Sequence, residues 1–358
     1  MGWARLGACC LVAMLAGCSR RQAQSGPAQS EGGDGGSGSC SIGAGGSPTV
    51  TTLVDYGVEP NGISVAQGEV YWATVNWGSD AGPSGTGTLQ RISTGGGAVT
   101  VLGTALLPYA VAADGSSVYW TTGASPEAGL SGGQLLVTPV AGGAATVLAE
   151  GISGIALGPT GVYGVQGATI VLVPFDGGLV TSVVSPSPGQ GVQCFATDAT
   201  NLYWAAGVNG DATLMKMPLA GGESSTLATT KGCGSVAVGS STVVWADTTG
   251  RIFSVPVGGG PATTLYSSDP EDPYAAAGPV AVDCDSVYFA TGAAVLKAPL
   301  AGGAPTTLAP LVPGWGTATG LAFDDTSLYF VTQDPPSDAS AACANGLGCA
   351  SVQKVTPK

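Results

Sequence analysis

Apolar residues recur along this chain in runs of five or six, too short for helices and separated by turns rich in glycine and proline. Between residues 62 and 356 one phrase comes back seven times. It consists of a small-apolar strand, a Tyr-Trp-like strand, a strand ending near proline, a Gly-Gly turn and a Thr-Thr-Leu-like strand. The second-strand copies are Val70-Tyr71-Trp72, Val118-Tyr119-Trp120, Val162-Tyr163-Gly164, Leu202-Tyr203-Trp204, Val243-Val244-Trp245, Val287-Tyr288-Phe289 and Leu328-Tyr329-Phe330, spaced 48, 44, 40, 41, 44 and 41 residues apart. Four short strands per period of about 40–45 residues predict an all-β fold, a β-propeller of seven four-stranded blades, with six or eight blades as the alternatives.

Blade four has the shortest loops, and its strands fall at residues 195–198, 201–206, 213–218 and 224–229. Glycine pairs after the third strand supply the left-handed backbone of a tight turn, at Gly142-Gly143, Gly177-Gly178, Gly221-Gly222, Gly258-Gly259 and Gly302-Gly303. Proline at the end of a third strand suits a position near the sheet edge. Strands such as residues 118–122 alternate weakly, as expected when both faces of a blade are covered. The last repeat stops at its third strand, residues 351–357, whereas Thr49-Val50-Thr51-Thr52-Leu53-Val54 reads as an outer strand without a blade. Pairing the two closes the ring and removes an exposed edge.

Ahead of this domain, residues 1–17 carry Arg5, an apolar run and then Leu15-Ala16-Gly17-Cys18, the pattern of a cleaved signal peptide. These four positions resemble the lipobox of bacterial lipoproteins, which implies lipid attachment to Cys18 and an extracytoplasmic, membrane-anchored protein. Ser19 lacks the aspartate that resembles an inner-membrane retention signal, so the expected site is the outer membrane, facing the periplasm or the cell surface. Residues 18–47, rich in Gly, Ser, Ala and Gln, read as a flexible tether, and residues 48–358 as one domain.

Only 9% of residues are charged and the net charge is −13, which disfavours a nucleic-acid partner, since phosphate binding needs a basic stripe. Signal cleavage removes Cys9 and Cys10, and in an oxidising compartment the six remaining cysteines other than Cys18 form an even set. Cys343 with Cys349 pins one loop, Cys194 with Cys233 staples blades four and five, and Cys40 with Cys284 is the remaining pair. Cysteine as a zinc ligand is disfavoured, because no CxxC pair is present and the chain has no histidine.

The absence of histidine also removes Ser-His-Asp and Cys-His nucleophilic systems and histidine general bases. The Tyr-Trp phrase, the basic third-strand residue (Arg91, Lys216, Lys297, Lys354) and the following Gly-Gly turn resemble YWTD-type and related six-bladed, TolB-like propellers. The chain departs from them in repeat number, and only Val244-Trp245-Ala246-Asp247 keeps the aspartate. Propeller enzymes of similar architecture, such as streptogramin lyases, lactonases and quinone-dependent sugar dehydrogenases, depend on catalytic histidines that are missing here. The recurring cations read as structural.

Connections between first and second strands, and between third and outer strands, are uniformly short. The other face carries insertions at residues 76–87, 123–134, 267–279, 310–320 and 333–350, in blades one, two, six and seven, contiguous in a closed ring. Aromatics outside the repeat gather there: Tyr56, Trp77, Tyr109, Tyr274 and Trp315. Acids join them, among them Asp80, Asp269, Glu271 and Asp272. Because loops on a rigid scaffold carry function, this arc is the candidate binding site for a protein or glycan of the envelope, with core capping and solvated acids as the alternative. The carboxylates of Asp269, Glu271 and Asp272 suit a Ca²⁺ site or an acid/base pair for a hydrolase or lyase, yet their spacing matches no Ca²⁺ loop and reads first as a solvated acidic loop. No cofactor is otherwise implied, and the protein is expected to be monomeric.

Overall fold

The computed structural model describes residues 46–56, 59–75, 85–123, 133–208, 210–268, 278–312, 317–334 and 349–358, without the side chains of residues 56, 59, 317, 333, 334 and 349. The chain forms seven four-stranded antiparallel sheets, each ordered inner, second, third, outer. The inner strands are Glu59–Ala66, Pro108–Ala113, Ile152–Leu157, Gly191–Thr197, Ser235–Val238, Val280–Val282 and Thr317–Phe323. In blade four the other strands are Asn201–Val208, Asp211–Pro218 and Ser225–Thr230, within two residues of the expected ranges except at the start of the inner strand.

The ring closes as the repeat implied. Thr49–Tyr56 pairs antiparallel with Cys349–Thr356 as the outer strand of blade seven, with Thr49 opposite Thr356 and Tyr56 opposite Ala350. Residues 49 and 356 therefore lie on the same face, the one that carries the short turns.

Each interface between neighbouring blades holds its own apolar cluster, and the second-strand phrase explains how. Successive side chains of a strand point to opposite faces, and here both faces are covered. Tyr203 enters the cluster with blade five while Leu202 and Trp204 enter the cluster with blade three. The same division recurs for Tyr71 and Trp72, Tyr119 and Trp120, and Tyr288 and Phe289. In every repeat that has it, the tyrosine faces the following blade and the next residue faces the preceding one. Trp72, Trp120, Trp245, Tyr203, Tyr288 and Tyr329 are fully buried, and removing a large side chain of this kind from water is worth roughly 1.5–3 kcal/mol.

At the axis, hydroxyls of the inner strands tie blade to blade. Ser64 Oγ accepts the Ala113 amide of blade two at 3.0 Å, and Ser235 Oγ accepts the Val280 amide of blade six at 3.2 Å. Thr319 Oγ1 donates to the Pro60 carbonyl at 3.1 Å across the closure.

The glycine turns follow the expected device with two corrections. In blade three only Gly177 of the pair Gly177-Gly178 has positive φ, 75°. In blade five the positive-φ pair is Gly259-Gly260, with φ of 87° and 138°, not Gly258-Gly259. Three consecutive glycines leave the pair ambiguous in sequence, and the proline sets it: the Pro256 carbonyl accepts the Gly259 amide at 2.8 Å, as Pro218 accepts Gly221 at 3.0 Å.

Candidate functional site

The short-turn face is occupied by a repeated polar ladder. An aspartate in the turn between the inner and second strands accepts two backbone amides, forming an Asx turn, and also the hydroxyl of the tyrosine five residues on. Asp198 accepts Thr200 N at 2.7 Å, Asn201 N at 2.6 Å and Tyr203 OH at 2.7 Å. Asp283 with Tyr288 and Asp324 with Tyr329 repeat this at 2.7 Å, and Asp114 with Tyr119 at 3.4 Å.

Third-strand lysines complete the ladder. Lys216, Lys297 and Lys354 lie 5.8, 5.5 and 5.6 Å over the rings of Tyr203, Tyr288 and Tyr329. Each ammonium then donates to a turn carbonyl of the following blade, respectively Val257 at 2.8 Å, Lys358 at 3.0 Å and Thr94 at 3.0 Å. The structural role expected of these cations is thus an inter-blade strut. Arg91 differs, lying 3.8 Å from Glu69 of its own blade.

Electrostatics follow from this geometry. Burial works to raise the carboxyls of Asp198, Asp283 and Asp324, but the tyrosine hydroxyl and the backbone amides outweigh it and hold them below their ordinary value of 3.8. Burial, reinforced by the neighbouring carboxylate, pushes Tyr203, Tyr288 and Tyr329 well up, and Tyr119 up to about 12. Burial depresses Lys358, which sits 3.5 Å from Asp283 and 4.1 Å from the Phe323 ring centre.

Blade five breaks the ladder. Gly239, Val244 and Ser254 stand where the aspartate, tyrosine and lysine stand in blades four, six and seven. Its ionic pair lies instead on the opposite face. Asp247, its side chain fully buried, receives Arg251 Nε at 3.0 Å and Nη2 at 2.8 Å, the Arg251 amide at 3.0 Å and the Thr249 amide at 2.8 Å. Arg251 stacks over Phe253 at 5.2 Å, and Phe253 stacks on Trp245 at 5.3 Å and 18°. The two guanidinium donors converge on Oδ2 and the two amides on Oδ1, so charge-assisted bonds fix the turn in one geometry. The aspartate of the Tyr-Trp-Thr-Asp phrase therefore closes a turn.

Beside this pair a groove of about 580 Å³ opens on the long-loop face at the seam of blades four and five. Its walls include Val208, Thr229, Lys231, Asp211, Arg251 and Phe253, over a floor that contains Ala206, Gly207 and Ala212. Lys231 Nζ meets Asp211 Oδ1 at 2.6 Å in an exposed pair. The seam beneath is pinned by the expected disulfide between Cys194 and Cys233, and the Cys233 amide donates to Gln193 Oε1 at 2.8 Å. Thr230 Oγ1 accepts the Trp245 indole at 3.0 Å.

The arc of long insertions is placed only at its ends. By the antiparallel order, its loops all leave from the face that carries the groove. Tyr109 is half-buried and packs on the cluster between blades two and three. Tyr56 and Cys349 are placed as strand residues. Trp77, Asp80, Asp269, Glu271, Asp272, Tyr274, Trp315 and Cys343 lie outside the described residues, as do Cys18 and Cys40. Cys284 is disulfide-bonded.

Comparisons with solved structures match the ring. At a TM-score of 0.55 the chain is similar to prolyl endopeptidases (16% identity, 79% of this chain and 46% of theirs). An acylaminoacyl peptidase of Pyrococcus horikoshii also gives 0.55 (8% identity, 78% and 50%). Part of a nidogen/laminin complex aligns at 16% identity over 68% of this chain and 76% of that one, with a TM-score of 0.39. This likeness is one of fold. The chain spans about half the length of the two peptidase structures. No protein-family model matches the sequence, and neither does any curated protein.

Two features escape the sequence. The ladder is written as Asp-x4-Tyr at residues 114, 198, 283 and 324, a spacing that is visible but meaningful only once turn and strand are known to converge. The groove has no loop-length signal, because it opens between two blades with short connections.

Proposed function

We propose that the protein is a lipid-anchored, extracytoplasmic propeller whose long-loop face binds a protein or glycan of the cell envelope. The observation that carries this is the division of labour between the faces. On the short-turn face, the aspartates, tyrosines and lysines of blades four, six and seven are spent on holding the ring. The connections that carry residues outside the repeat leave from the opposite face, and recognition concentrates on loops held by a rigid scaffold.

Two further points support the reading. The stapled seam suits an oxidising compartment outside the cytoplasm. Thr49 enters on the short-turn face opposite Thr356, so a tether running back to Cys18 leaves the long-loop face directed away from the membrane. A net charge of −13 turns the same surface away from nucleic acid.

The experiment is affinity capture of solubilised envelope proteins and glycans on the immobilised mature chain. With Trp77, Tyr274 and Trp315 all changed to alanine, at least one bound component should lose about tenfold or more in retention, because aromatic anchors dominate binding surfaces. Unchanged retention of every component by the triple variant overturns the assignment.

A further inference from the structure

We propose that the groove at the seam of blades four and five is a binding site for a carboxylated sugar, its carboxylate held by Lys231 and Arg251. Four observations converge there. First, blade five carries an ionic pair at this mouth, with Val244 and Ser254 in place of the ladder's tyrosine and lysine; blade three also lacks the ladder, with Gly158 and Leu172 at its aspartate and lysine positions, but its residues 151–190 include no lysine or arginine. Second, the described cations number seven, and five of them, Arg91, Lys216, Lys297, Lys354 and Lys358, face glutamate, ring or carbonyl partners of the ladder side. The remaining two, Lys231 and Arg251, both line the groove. Third, their own pairing leaves capacity for an anion. Asp247 engages Nε and Nη2 of Arg251 but no described residue engages Nη1, and the Lys231–Asp211 pair is 63% and 71% exposed, so it exchanges with solvent at little cost. Fourth, the seam is rigid, held by the Cys194–Cys233 disulfide and by the amide of Cys233 on Gln193.

The rest of the lining selects the class of anion. Gln190, Thr213 and Thr229 offer uncharged donors and acceptors, Asp211 accepts hydroxyl protons, and Val208 with Phe253 gives an apolar wall for a ring face. A space of about 580 Å³ falls within the roughly 300–1,000 Å³ of small-ligand sites. A pyranose carrying one carboxylate satisfies all of these at once.

This site rests on the proposed function only in using the long-loop face, because it engages blades four and five and none of the long insertions. The mature chain should be titrated calorimetrically with digalacturonate, with the neutral disaccharide of galactose, and with an N-acetylated dipeptide bearing a free carboxylate. The expected result is at least tenfold tighter binding of the acidic disaccharide than of either other probe, weakening as salt rises. Lys231→Gln should cost roughly tenfold or more in affinity, the scale of one charge-assisted hydrogen bond, without loss of fold because the pair it breaks is exposed. Val208→Trp should block the mouth, and Glu223→Gln, on the short-turn face, should change nothing. Equal binding of acidic and neutral disaccharides, preference for the dipeptide, or full affinity in Lys231→Gln overturns the proposal. The Trp77, Tyr274 and Trp315 triple variant should bind digalacturonate normally, so failure of this site and failure of the loop arc are told apart.

Discussion

At the residue scale, the unit of this fold is an aspartate that does two jobs. Asp324 caps a turn through Thr326 N and Ser327 N, both at 2.8 Å, and orients Tyr329 at 2.7 Å, while Lys354 covers the ring and reaches the next blade. Because its carboxyl titrates below 3.8 in the folded state, the folded protein binds fewer protons here than the unfolded chain. The stability it contributes is complete above the unfolded value and is lost as pH falls through the folded one. Asp324→Asn should therefore lower stability at pH 7 by about 1–2 kcal/mol, the scale of a charge-assisted hydrogen bond. Urea unfolding at stepwise lower pH should show the difference between wild type and variant begin to shrink as pH falls below 3.8 and keep shrinking as it falls further. A difference that stays constant through the acid range contradicts the ladder. Lys216, Lys297 and Lys354 were legible as structural from their shared repeat position, but their partners were not. A strut to a carbonyl about 40 residues away, such as Val257 for Lys216, depends on the placement of the next blade and has no local sequence signature.

At the element scale, the blade is punctuated more clearly than it is bounded. Proline, glycine pair and Tyr-Trp phrase marked most third strands, turns and second strands, because each reflects a local backbone or packing demand; blade one has no proline after its third strand, and blade five has valine for tyrosine. Register was less legible where the demand was met twice over, as in Gly258-Gly259-Gly260. Pairing of Cys194 with Cys233 followed from the equivalent placement of both at the start of inner strands in adjacent blades, a consequence of the repeat itself. At a sequence separation of 39, that crosslink restricts the unfolded chain, and removing a native bridge of this span costs about 2–4 kcal/mol. The Cys194→Ala, Cys233→Ala variant should show this loss in non-reducing urea unfolding, and its difference from wild type should vanish when wild type is reduced. No loss in the variant removes the staple from the account. Blades three and five both drop the ladder, and blade five carries in addition the Asp247–Arg251 turn at the mouth of a groove. Departures from an otherwise consistent pattern are where function is expected.

For the whole molecule, closure is the central physical fact. Seven blades each bury two faces, so no blade is stable alone, and the outer strand from residue 49 completes blade seven while fixing where the chain enters. The number of blades, the closure and the two-faced character of the disc were all legible, since each follows from counting repeats and alternating strand direction. The identity of a bound partner was not, because the residues that decide it lie outside the repeat and carry no shared spacing. The ring's likeness to propeller-containing peptidase structures at 8–16% identity adds fold and nothing more. What the architecture does dictate is polarity: the short turns and the repeated ladder lie on one face, and the long connections leave from the other. Site-specific photocrosslinking in intact cells tests the proposed recognition face most directly, with a benzophenone amino acid placed singly at positions 77 and 315, in connections that leave from the long-loop face, and at 200 and 326 on the short-turn face. Adducts from positions 77 and 315, with none from 200 and 326, are the expected outcome. Adducts confined to positions 200 and 326, or none from any position, contradict the assignment of recognition to the long-loop face.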